Sequence, residues 1–380
     1  MKSSNLSSIA VLIFISILTK IAILLAPVFI PHTGLDPYDF QYFFSSAQQV
    51  MHGVYPPNFN YPLLALIPMV VLYVCSFGNF SLFSAVFQFL MCICDAVTIA
   101  CIYMIGLKFL TRQQSFIAGL LYALSLPVAY FSLTKFDSLP AAILMLAIYF
   151  TIYGKANKGE WTSIFGACTK IYPIIAFPFL SLYNREKGTL GSLLALWVGA
   201  ISVVVLLFHK EILSFMFRQE VYVNTLEYMY YLLSHETTSL NFLSCMGYVY
   251  LALAFLVMFY IAYQKVYNDK CIRALLFVIG GSILATSIFM PYHSPQYFMW
   301  YAPIFCLLVA DSVYATFAFC AVSMAVYLEF PLFYNVLYQN DKFLVSWAPW
   351  FFVVEWVLMV VMVYLAILPR TFISKENQPL

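Results

Sequence analysis

Long runs of apolar residues, separated by short polar segments, alternate along most of this chain. Each run fits a helix that crosses a membrane, because a hydrocarbon core of about 30 Å requires roughly 20 apolar residues. The approximate spans are 9–30, 81–106, 114–132, 138–154, 190–208, 246–264, 273–290, 297–310, 313–331 and 345–368. The runs are too long, and alternate too weakly, for the strands of a membrane barrel. The pattern therefore predicts an all-α transmembrane bundle of about 10–12 helices.

Two segments interrupt this pattern. Residues 61–77 are apolar, but a full crossing there would bring the next basic loop to the outer side, so we expect a helix or hairpin against the outer leaflet. Residues 162–183 contain Lys170, Pro173 and Pro178 between two basic loops. A broken hairpin of two short helices is expected there, since irregular backbone at membrane depth is tolerated only where it lines a cavity in the protein.

The composition leaves little room for a soluble domain. Hydrophobic residues make up 64% of the 380 residues, charged residues 9%, and the mean hydropathy is +0.90. We therefore treat residues 1–380 as a single transmembrane domain. The nine cysteines show no CxxC or metal-ligand spacing, and the chain has neither a glycine-rich phosphate loop nor an extended basic stripe. These features argue against a soluble cofactor and against a nucleic-acid partner.

The positions of lysine and arginine predict the orientation. Twelve of the 18 fall in loops that we place in the cytoplasm: Lys2, Lys108, Arg112, Lys155, Lys158, Arg185, Lys187, Lys265, Lys270, Arg273, Arg370 and Lys375. Two substantial segments then lie outside. The first outer loop covers residues 31–77 and contains two carboxylates. The second covers residues 209–244, where aromatic residues with interspersed charges are typical of an interfacial helix.

Polar residues that could take part in catalysis or binding occur at a few positions along the chain. Asp36 and Asp39 follow the first span, where one could act as a general base; the alternative is a solvated Asp-Pro turn. Lys170 is predicted near the bilayer centre, where a charge costs roughly 2.5–3.5 kcal/mol. It is expected to face a cavity or a partner, unless its segment is shallower and the side chain snorkels.

A third group lies at an outer turn between two spans. His293, Ser294 and Gln296 can donate hydrogen bonds to a phosphate or a sugar, while Tyr297 and Trp300 suit stacking on a sugar ring. The alternative is an aromatic belt with a polar turn.

Lys135 and Asp137 form a fourth outer group, with the alternative that they pair with each other at the surface. Among the remaining intramembrane charges, Asp95 and Glu355 are expected to face the interior of the bundle, and Lys20 is a candidate for snorkelling.

The chain order of these groups resembles that of a known family. The elements are Asp39, Gly53-Val54-Tyr55-Pro56, Tyr61-Pro62-Leu63-Leu64, Lys135-Phe136-Asp137-Ser138, Lys170-Ile171-Tyr172-Pro173 and Ser294-Pro295-Gln296-Tyr297-Phe298-Met299-Trp300-Tyr301. This order is similar to that of the catalytic subunit of GPI mannosyltransferase I, its archaeal relatives and, more distantly, bacterial polyprenol-phosphate-mannose-dependent mannosyltransferases. All belong to the GT-C superfamily of polytopic glycosyltransferases. The resemblance runs from the first loop to about residue 305.

The resemblance implies an inverting transfer of mannose, or a related hexose, from a polyprenyl or dolichyl phosphate to a lipid-linked or glycan acceptor outside the cytoplasm. It makes Asp39 the catalytic base, and Lys170 and Gln296 match the family pattern directly. With Tyr61, Lys135, Asp137 and the turn at 293–297, these residues form the expected substrate site. Membrane lipids, and as an open question a small accessory subunit, are the other expected partners.

The chain also departs from the family pattern. Pro37 stands where the eukaryotic DxD pattern has its first aspartate, with Asp36 one residue earlier, and the element at Asp137 lacks the family's glycine. The role of Asp36 therefore stays open, and the case for a divalent metal is weak; no other cofactor is expected. Short soluble segments favour a prokaryotic plasma membrane with the site facing outward, the alternative being the endoplasmic reticulum of a eukaryote.

Two other functional classes remain alternatives: a secondary transporter, and a membrane subunit without catalytic activity. Transporters often contain inverted repeats, broken helices and charges at the midplane. We find no repeat between the two halves of the sequence, and the polar groups are predicted on one face rather than at the midplane. These observations favour an enzyme.

Overall fold

The computed structural model describes residues 3–30, 33–56, 59, 61–184, 224–225, 240–333 and 348–367. All regular structure in these residues is helical, as predicted, in fourteen α-helices. They are α1 (Ser3–Phe29), α2 (Tyr38–Met51), α3 (Leu66–Cys75), α4 (Phe80–Gly106), α5 (Arg112–Leu124), α6 (Leu126–Thr134), α7 (Ser138–Ile152), α8 (Ala156–Ala167), α9 (Ala176–Asn184), α10 (Leu240–Ile261), α11 (Ile272–Phe289), α12 (Phe298–Val309), α13 (Val313–Tyr327) and α14 (Ala348–Ile367). The predicted span 190–208 and most of the predicted outer loop 209–244 lie outside the described residues.

Six of the described helices are long and apolar enough to cross a membrane. These six helices correspond to α1, α4, α10, α11, α13 and α14, and their positions agree with six of the predicted spans. The chain is therefore a multi-pass membrane protein. Most of these helices show large apolar side chains on their outer surface, as expected where the surrounding medium is lipid.

The predicted span 114–132 is not one straight helix. α5 and α6 meet at an angle of 54°. The break lies at Ser125, whose backbone is extended, and Pro127 occupies the first turn of α6, where its missing N–H is tolerated. The Ser125 hydroxyl lies 2.9 Å from that of Ser323 on α13, so the broken corner is anchored to another helix.

Two other predicted spans correspond to helices too short for a full crossing. α7 has 15 residues and α12 has 12, and a 12-residue helix is only about 18 Å long. Every residue of α12 is buried. A helix that is apolar on all sides belongs either in lipid or inside a protein. The sequence does not separate these two cases, and packing against α4, α5, α11 and α13 places α12 in the core.

The predicted broken hairpin is present at 156–184. α8 ends at Ala167, four residues follow without regular α-helix, and a 3₁₀ turn at Tyr172–Ile175 leads into α9. Pro173 cannot donate a backbone hydrogen bond and restricts the preceding residue, so the helix is interrupted there. The Ser163 hydroxyl donates to the carbonyl oxygen of Pro173 at 2.7 Å. This break contains Lys170.

The segment between α1 and α4 contains two short helices. α3 lies within the segment 61–77, where a helix or hairpin was predicted. α2 and α3 pack against α4 around an aromatic core that includes Phe40, Phe43, Phe83 and Phe136. The same buried face of α2 includes Asp39 in its first turn. The aromatic core therefore fixes the helix from which this carboxylate projects.

Lys20 and Asp95 form an ion pair inside the bundle. Lys20 on α1 does not snorkel: its Nζ lies 2.9 Å from Asp95 Oδ2 on α4 and donates to the Ser16 hydroxyl at 2.7 Å. Tyr122 donates to the other oxygen of Asp95 at 3.1 Å. Asp95 and Glu355 are both buried, which confirms the expectation that they face the interior.

Candidate functional site

Asp36 and Asp39 stand at the start of α2 and differ in their bonding. Both oxygens of Asp36 are occupied: Oδ1 accepts from the backbone N–H of Tyr38 at 3.0 Å, and Oδ2 accepts from Lys135 at 2.9 Å. Asp39 is more deeply buried, and only its Oδ1 has a partner, the Lys135 ammonium at 3.1 Å. Asp39 Oδ2 is buried without a hydrogen-bond partner. Asp39 therefore has an oxygen that could accept a further hydrogen bond or a proton, whereas both oxygens of Asp36 already have partners.

Lys135 and Asp137 do not pair with each other, and neither lies at the surface. Lys135 follows α6 in an extended conformation and bridges Asp36 and Asp39. Asp137 is fully buried and accepts from Lys170 Nζ at 2.6 Å. The surface-pair alternative is wrong because the break between α6 and α7 lies inside the protein, where each charge needs a partner of opposite sign. The break thus places one charge in each of two ion pairs.

Lys170 reaches Asp137 from the broken hairpin. Trp300, at the start of α12, donates its indole N–H to the same Oδ1 of Asp137. The three residues come from segments far apart in the chain, so only the fold brings them together. We call Asp36, Asp39, Lys135, Asp137 and Lys170 the five-charge cluster. Its three carboxylates and two ammonium groups give a net charge of −1 when all are ionised.

Aromatic rings surround the Lys170 ammonium. Its Nζ lies 5.2 Å from the ring centre of Trp300, 5.3 Å from that of Tyr61 and 6.0 Å from that of Tyr297. These distances are within the range of cation–π attraction. Tyr172 stacks on Trp300 with ring centres 4.5 Å apart and planes at 6°. The rings exclude water from one side of the ammonium and strengthen its electrostatic interactions.

Several buried polar atoms near the cluster lack a hydrogen-bond partner. In the part of the chain that the structure describes, these include Asp39 Oδ2, Asp137 Oδ2, Ser138 Oγ, Tyr172 Oη and His293 Nε2. Buried polar atoms are usually bonded, and an unbonded one indicates a missing water, ion or ligand, or a catalytic role. Their concentration around one group of charges identifies this region as the candidate site.

The turn before α12 is only partly joined to the cluster. Tyr297 contacts both Lys170 and Trp300, with ring centres of Tyr297 and Trp300 3.8 Å apart. His293 is buried beside Tyr297, and its Nδ1 lies 3.1 Å from the carbonyl oxygen of Ser287. Ser294 and Gln296 are half-buried, and within the described ranges no hydrogen bond joins either side chain to the five charges. The structure therefore brings Tyr297 into the site and places the other three beside it.

Burial and charge act on the pKa values in opposite directions. Burial raises the pKa of Asp39 above its usual value, although the Lys135 ammonium opposes this effect. Burial disfavours the charged form of Lys135, but Asp39 and Asp36 outweigh it and raise the Lys135 pKa. Burial lowers the pKa of His293 to about 4. At neutral pH His293 is therefore a neutral hydrogen-bonding group and Lys135 is a cation.

Asp39 also lies within electrostatic reach of the other ion pair. Asp137 raises the pKa of Asp39 and Lys170 lowers it, after the larger effects of burial and Lys135. Tyr61 connects the two halves: burial, Asp39 and Asp137 together raise the pKa of its hydroxyl well above the usual value. The predicted base and the predicted phosphate-binding lysine thus belong to one buried electrostatic unit.

No protein-family model and no curated protein matches this chain.

Sequence reasoning missed two residues of the site and gave a third no definite place in it. Tyr130 on α6 bonds to the backbone beside Asp36, and Tyr172 stacks on Trp300. No feature of the sequence near Tyr130 indicated this contact. The sequence predicts for Trp300 only sugar stacking or a place in an aromatic belt. Its indole N–H is the second donor to Asp137, and the dense aromatic-polar run 292–301 was the available signal.

Proposed function

We propose that this protein is an inverting glycosyltransferase that moves a neutral hexose, with mannose as the leading candidate, from a polyprenyl or dolichyl phosphate to a lipid-linked or glycan acceptor. The proposal places the reaction at the five-charge cluster, on the outer face of the membrane. The observation that supports it most is that the five-charge cluster contains both a carboxylate with an unbonded oxygen, Asp39, and an ammonium group surrounded by aromatic side chains, Lys170.

Asp39 is the proposed general base. It lies in the first turn of α2, where the positive end of the helix dipole favours an ionised carboxylate. Lys135 occupies one of its oxygens and leaves Oδ2 available for an acceptor hydroxyl. Asp36 has both oxygens occupied and is more exposed, so we assign it a supporting role in holding Lys135.

Lys170 is the proposed partner of the departing phosphate. An ammonium group has three donors, and Asp137 accepts from Lys170 in the structure, which leaves N–H groups for phosphate oxygens. Asp137 and Trp300 hold the position of this ammonium, and such preorganisation is effective because the donors need no rearrangement in the transition state. His293 Nε2 and Gln296 are additional candidate contacts for phosphate or sugar oxygens.

The step is a direct displacement. The acceptor oxygen forms a bond to the anomeric carbon while the bond from that carbon to the phosphate oxygen breaks. The proton of the acceptor hydroxyl passes to Asp39, and the phosphate leaves with the electron pair, its charge stabilised by Lys170. Attack opposite to the leaving group inverts the anomeric configuration. Tyr61, Tyr297 and Trp300 suit the apolar face of the sugar.

The second candidate is a secondary transporter. It is favoured by one observation away from the cluster: Glu329 and Glu355 are both fully buried in candidate spans, and the Asn224 amide lies 3.3 to 3.5 Å from their oxygens. Intramembrane carboxylates often mark ion paths. Uptake of labelled hexose or mannosyl phosphate by proteoliposomes, without chemical change, would support the transporter.

The deciding experiment is a transfer assay with purified protein in lipid nanodiscs. Polyprenyl phosphate bearing labelled mannose is the donor, and a total membrane-lipid extract supplies acceptors. Asp39→Asn preserves shape and should reduce the labelled lipid product by roughly 10²–10⁴-fold. Asp36→Asn is the matched control and should retain activity within about tenfold of the unmodified protein. Donor binding without any product, or full activity of Asp39→Asn, would contradict the proposal.

A further inference from the structure

A tyrosine hydroxyl on α6 bonds to the main chain of the loop that precedes α2. Tyr130 Oη accepts a hydrogen bond from the backbone N–H of Asp36 at 3.1 Å and donates to the carbonyl oxygen of Gly34 at 3.0 Å. One side chain thus bonds to the main chain on both sides of Leu35. These bonds fix the backbone from which Asp36 projects and the entry into α2, where Asp39 lies one turn later.

The ring of Tyr130 is itself immobilised. It is fully buried and packs edge-on against Phe330, with ring centres 5.6 Å apart, and against Phe131 and Tyr327. A hydroxyl on a fixed ring is a fixed point for the loop, since its two hydrogen bonds act without further loss of side-chain freedom.

The same helix holds the loop a second time. Lys135, which follows α6, forms ion pairs with the side chains of Asp36 and Asp39. Tyr130 forms hydrogen bonds with the main chain of Gly34 and Asp36. The contacts of Lys135 involve only the two carboxylate side chains, whose rotatable bonds leave the main chain of the loop some freedom. The tyrosine removes that freedom, because backbone hydrogen bonds define the register of the loop on α6.

We propose that Tyr130 is a positioning residue. Its hydroxyl sets the register of residues 33–37, here called the carboxylate loop, on α6, so that Asp39 stays paired with Lys135 and keeps Oδ2 directed at the site. This inference rests on the proposed function for its catalytic consequence. It does not place Tyr130 in contact with either substrate.

The test compares Tyr130→Phe with Tyr153→Phe. Tyr153 also donates one hydroxyl hydrogen bond to a backbone carbonyl, that of Met104 at 2.9 Å, but lies at the end of α7 outside the five-charge cluster. Hydrogen exchange of the segment 33–42, measured by mass spectrometry in nanodiscs, should accelerate at least tenfold in Tyr130→Phe. It should stay unchanged in Tyr153→Phe.

The kinetic readout separates positioning from general destabilisation. Lys135, Asp137 and Lys170 act on the pKa of Asp39, Asp36 shares Lys135 with it, and the Tyr61 hydroxyl lies within its electrostatic reach. If the loop loses register, Asp39 loses the closest cation, so the acid limb of the pH–rate profile should move to higher pH. At its optimum pH, Tyr130→Phe should show a kcat about tenfold lower with the KM for mannosyl polyprenyl phosphate within about twofold, because the Lys170 side of the site is untouched.

Unchanged exchange in Tyr130→Phe, or accelerated exchange with an unchanged kcat and acid limb, would overturn the positioning role. If the unmodified protein transfers no sugar, the proposed function fails separately. The exchange experiment would then still decide whether Tyr130 holds the carboxylate loop.

Discussion

Two buried lysine–aspartate pairs in this protein have the same composition and opposite surroundings. The pair of Lys20 and Asp95 joins two regular spanning helices, and Lys20 also donates to Ser16. Each Asp95 oxygen has a contact: Oδ2 lies 2.9 Å from Lys20 Nζ, and Oδ1 accepts from Tyr122. The pair of Lys170 and Asp137 lies where one helix is broken and another begins, and Asp137 Oδ2 has no partner.

The surroundings of the two pairs differ in net charge and in the number of nearby polar atoms without a hydrogen-bond partner. The pair of Lys20 and Asp95 is neutral, whereas the five-charge cluster has one carboxylate in excess and several unbonded polar atoms around it. Closed neutral pairs contribute to structure, and their net energy is small because desolvation offsets their attraction. An unbalanced group with spare donors and acceptors is arranged for something that binds to it. A buried charge therefore becomes a functional candidate through the atoms left unsatisfied around it.

Neutralising each pair in turn is the strongest test of this contrast. Lys170→Met with Asp137→Asn removes both charges but retains an acceptor for Trp300, and should reduce transfer by roughly 10²–10³-fold. Lys20→Met with Asp95→Asn retains an acceptor for Tyr122, and its activity should stay within about threefold of the unmodified protein. Both double variants should fold, as judged by monodisperse elution in detergent. Equal losses of activity would eliminate the distinction between the two pairs.

Removing one partner of the structural pair should affect stability instead. Lys20→Met leaves Asp95 buried with only the Tyr122 hydroxyl, and should lower the free energy of unfolding by roughly 3–5 kcal/mol. Unfolding by SDS in mixed micelles measures the change. Lys158→Met, at an exposed lysine on α8, is the control and should have no effect. Adding Asp95→Asn to Lys20→Met should restore most of the stability; failure to do so would argue against an ion pair at this place.

Trp300→Phe tests the second donor to Asp137. Phenylalanine retains a ring to stack on Tyr172 but removes the indole N–H, so Lys170 should be less firmly positioned. We expect the KM for mannosyl polyprenyl phosphate to increase by about tenfold, corresponding to about 1.4 kcal/mol. Trp161→Phe, at an exposed tryptophan on α8, should leave the KM unchanged. An unchanged KM in Trp300→Phe would remove the indole from the site.

The smallest expected effect concerns His293. The proposed mechanism requires ionised Asp39, whose pKa is raised by burial, so transfer should be lost as the pH falls through this raised pKa. The pKa of His293 is lowered to about 4, so the imidazole stays neutral above that pH and does not set the acid limb. His293→Gln should therefore leave the limb in place in a pH–rate profile, whereas a shift of one pH unit or more would show that His293 contributes to it.

Much of the site was predictable from the types and order of its residues. Asp39, Lys170, Tyr61 and Tyr297 were selected from the sequence, and the structure groups them in one buried cluster. The partners of Lys135 and Asp137 were not predictable, because residues two apart in an extended segment invite a local pairing. Each instead finds its partner in a distant segment. The contact of Tyr130 with the loop was not predictable either, because it joins Tyr130 to Asp36, 94 positions away in the chain.

The sequence by itself determined that the chain is helical and lies in a membrane, because helix length and apolar content must match the thickness of the hydrocarbon core. It also indicated the interruption near Pro173, where a broken hairpin was predicted, but not the break at Ser125, and Pro303 lies inside the continuous helix α12. Only the tertiary structure decided which apolar helices face lipid and which, like α12, lie inside, because both have the same composition. It alone decided which charge meets which, because electrostatic pairing depends on distance in space rather than along the chain.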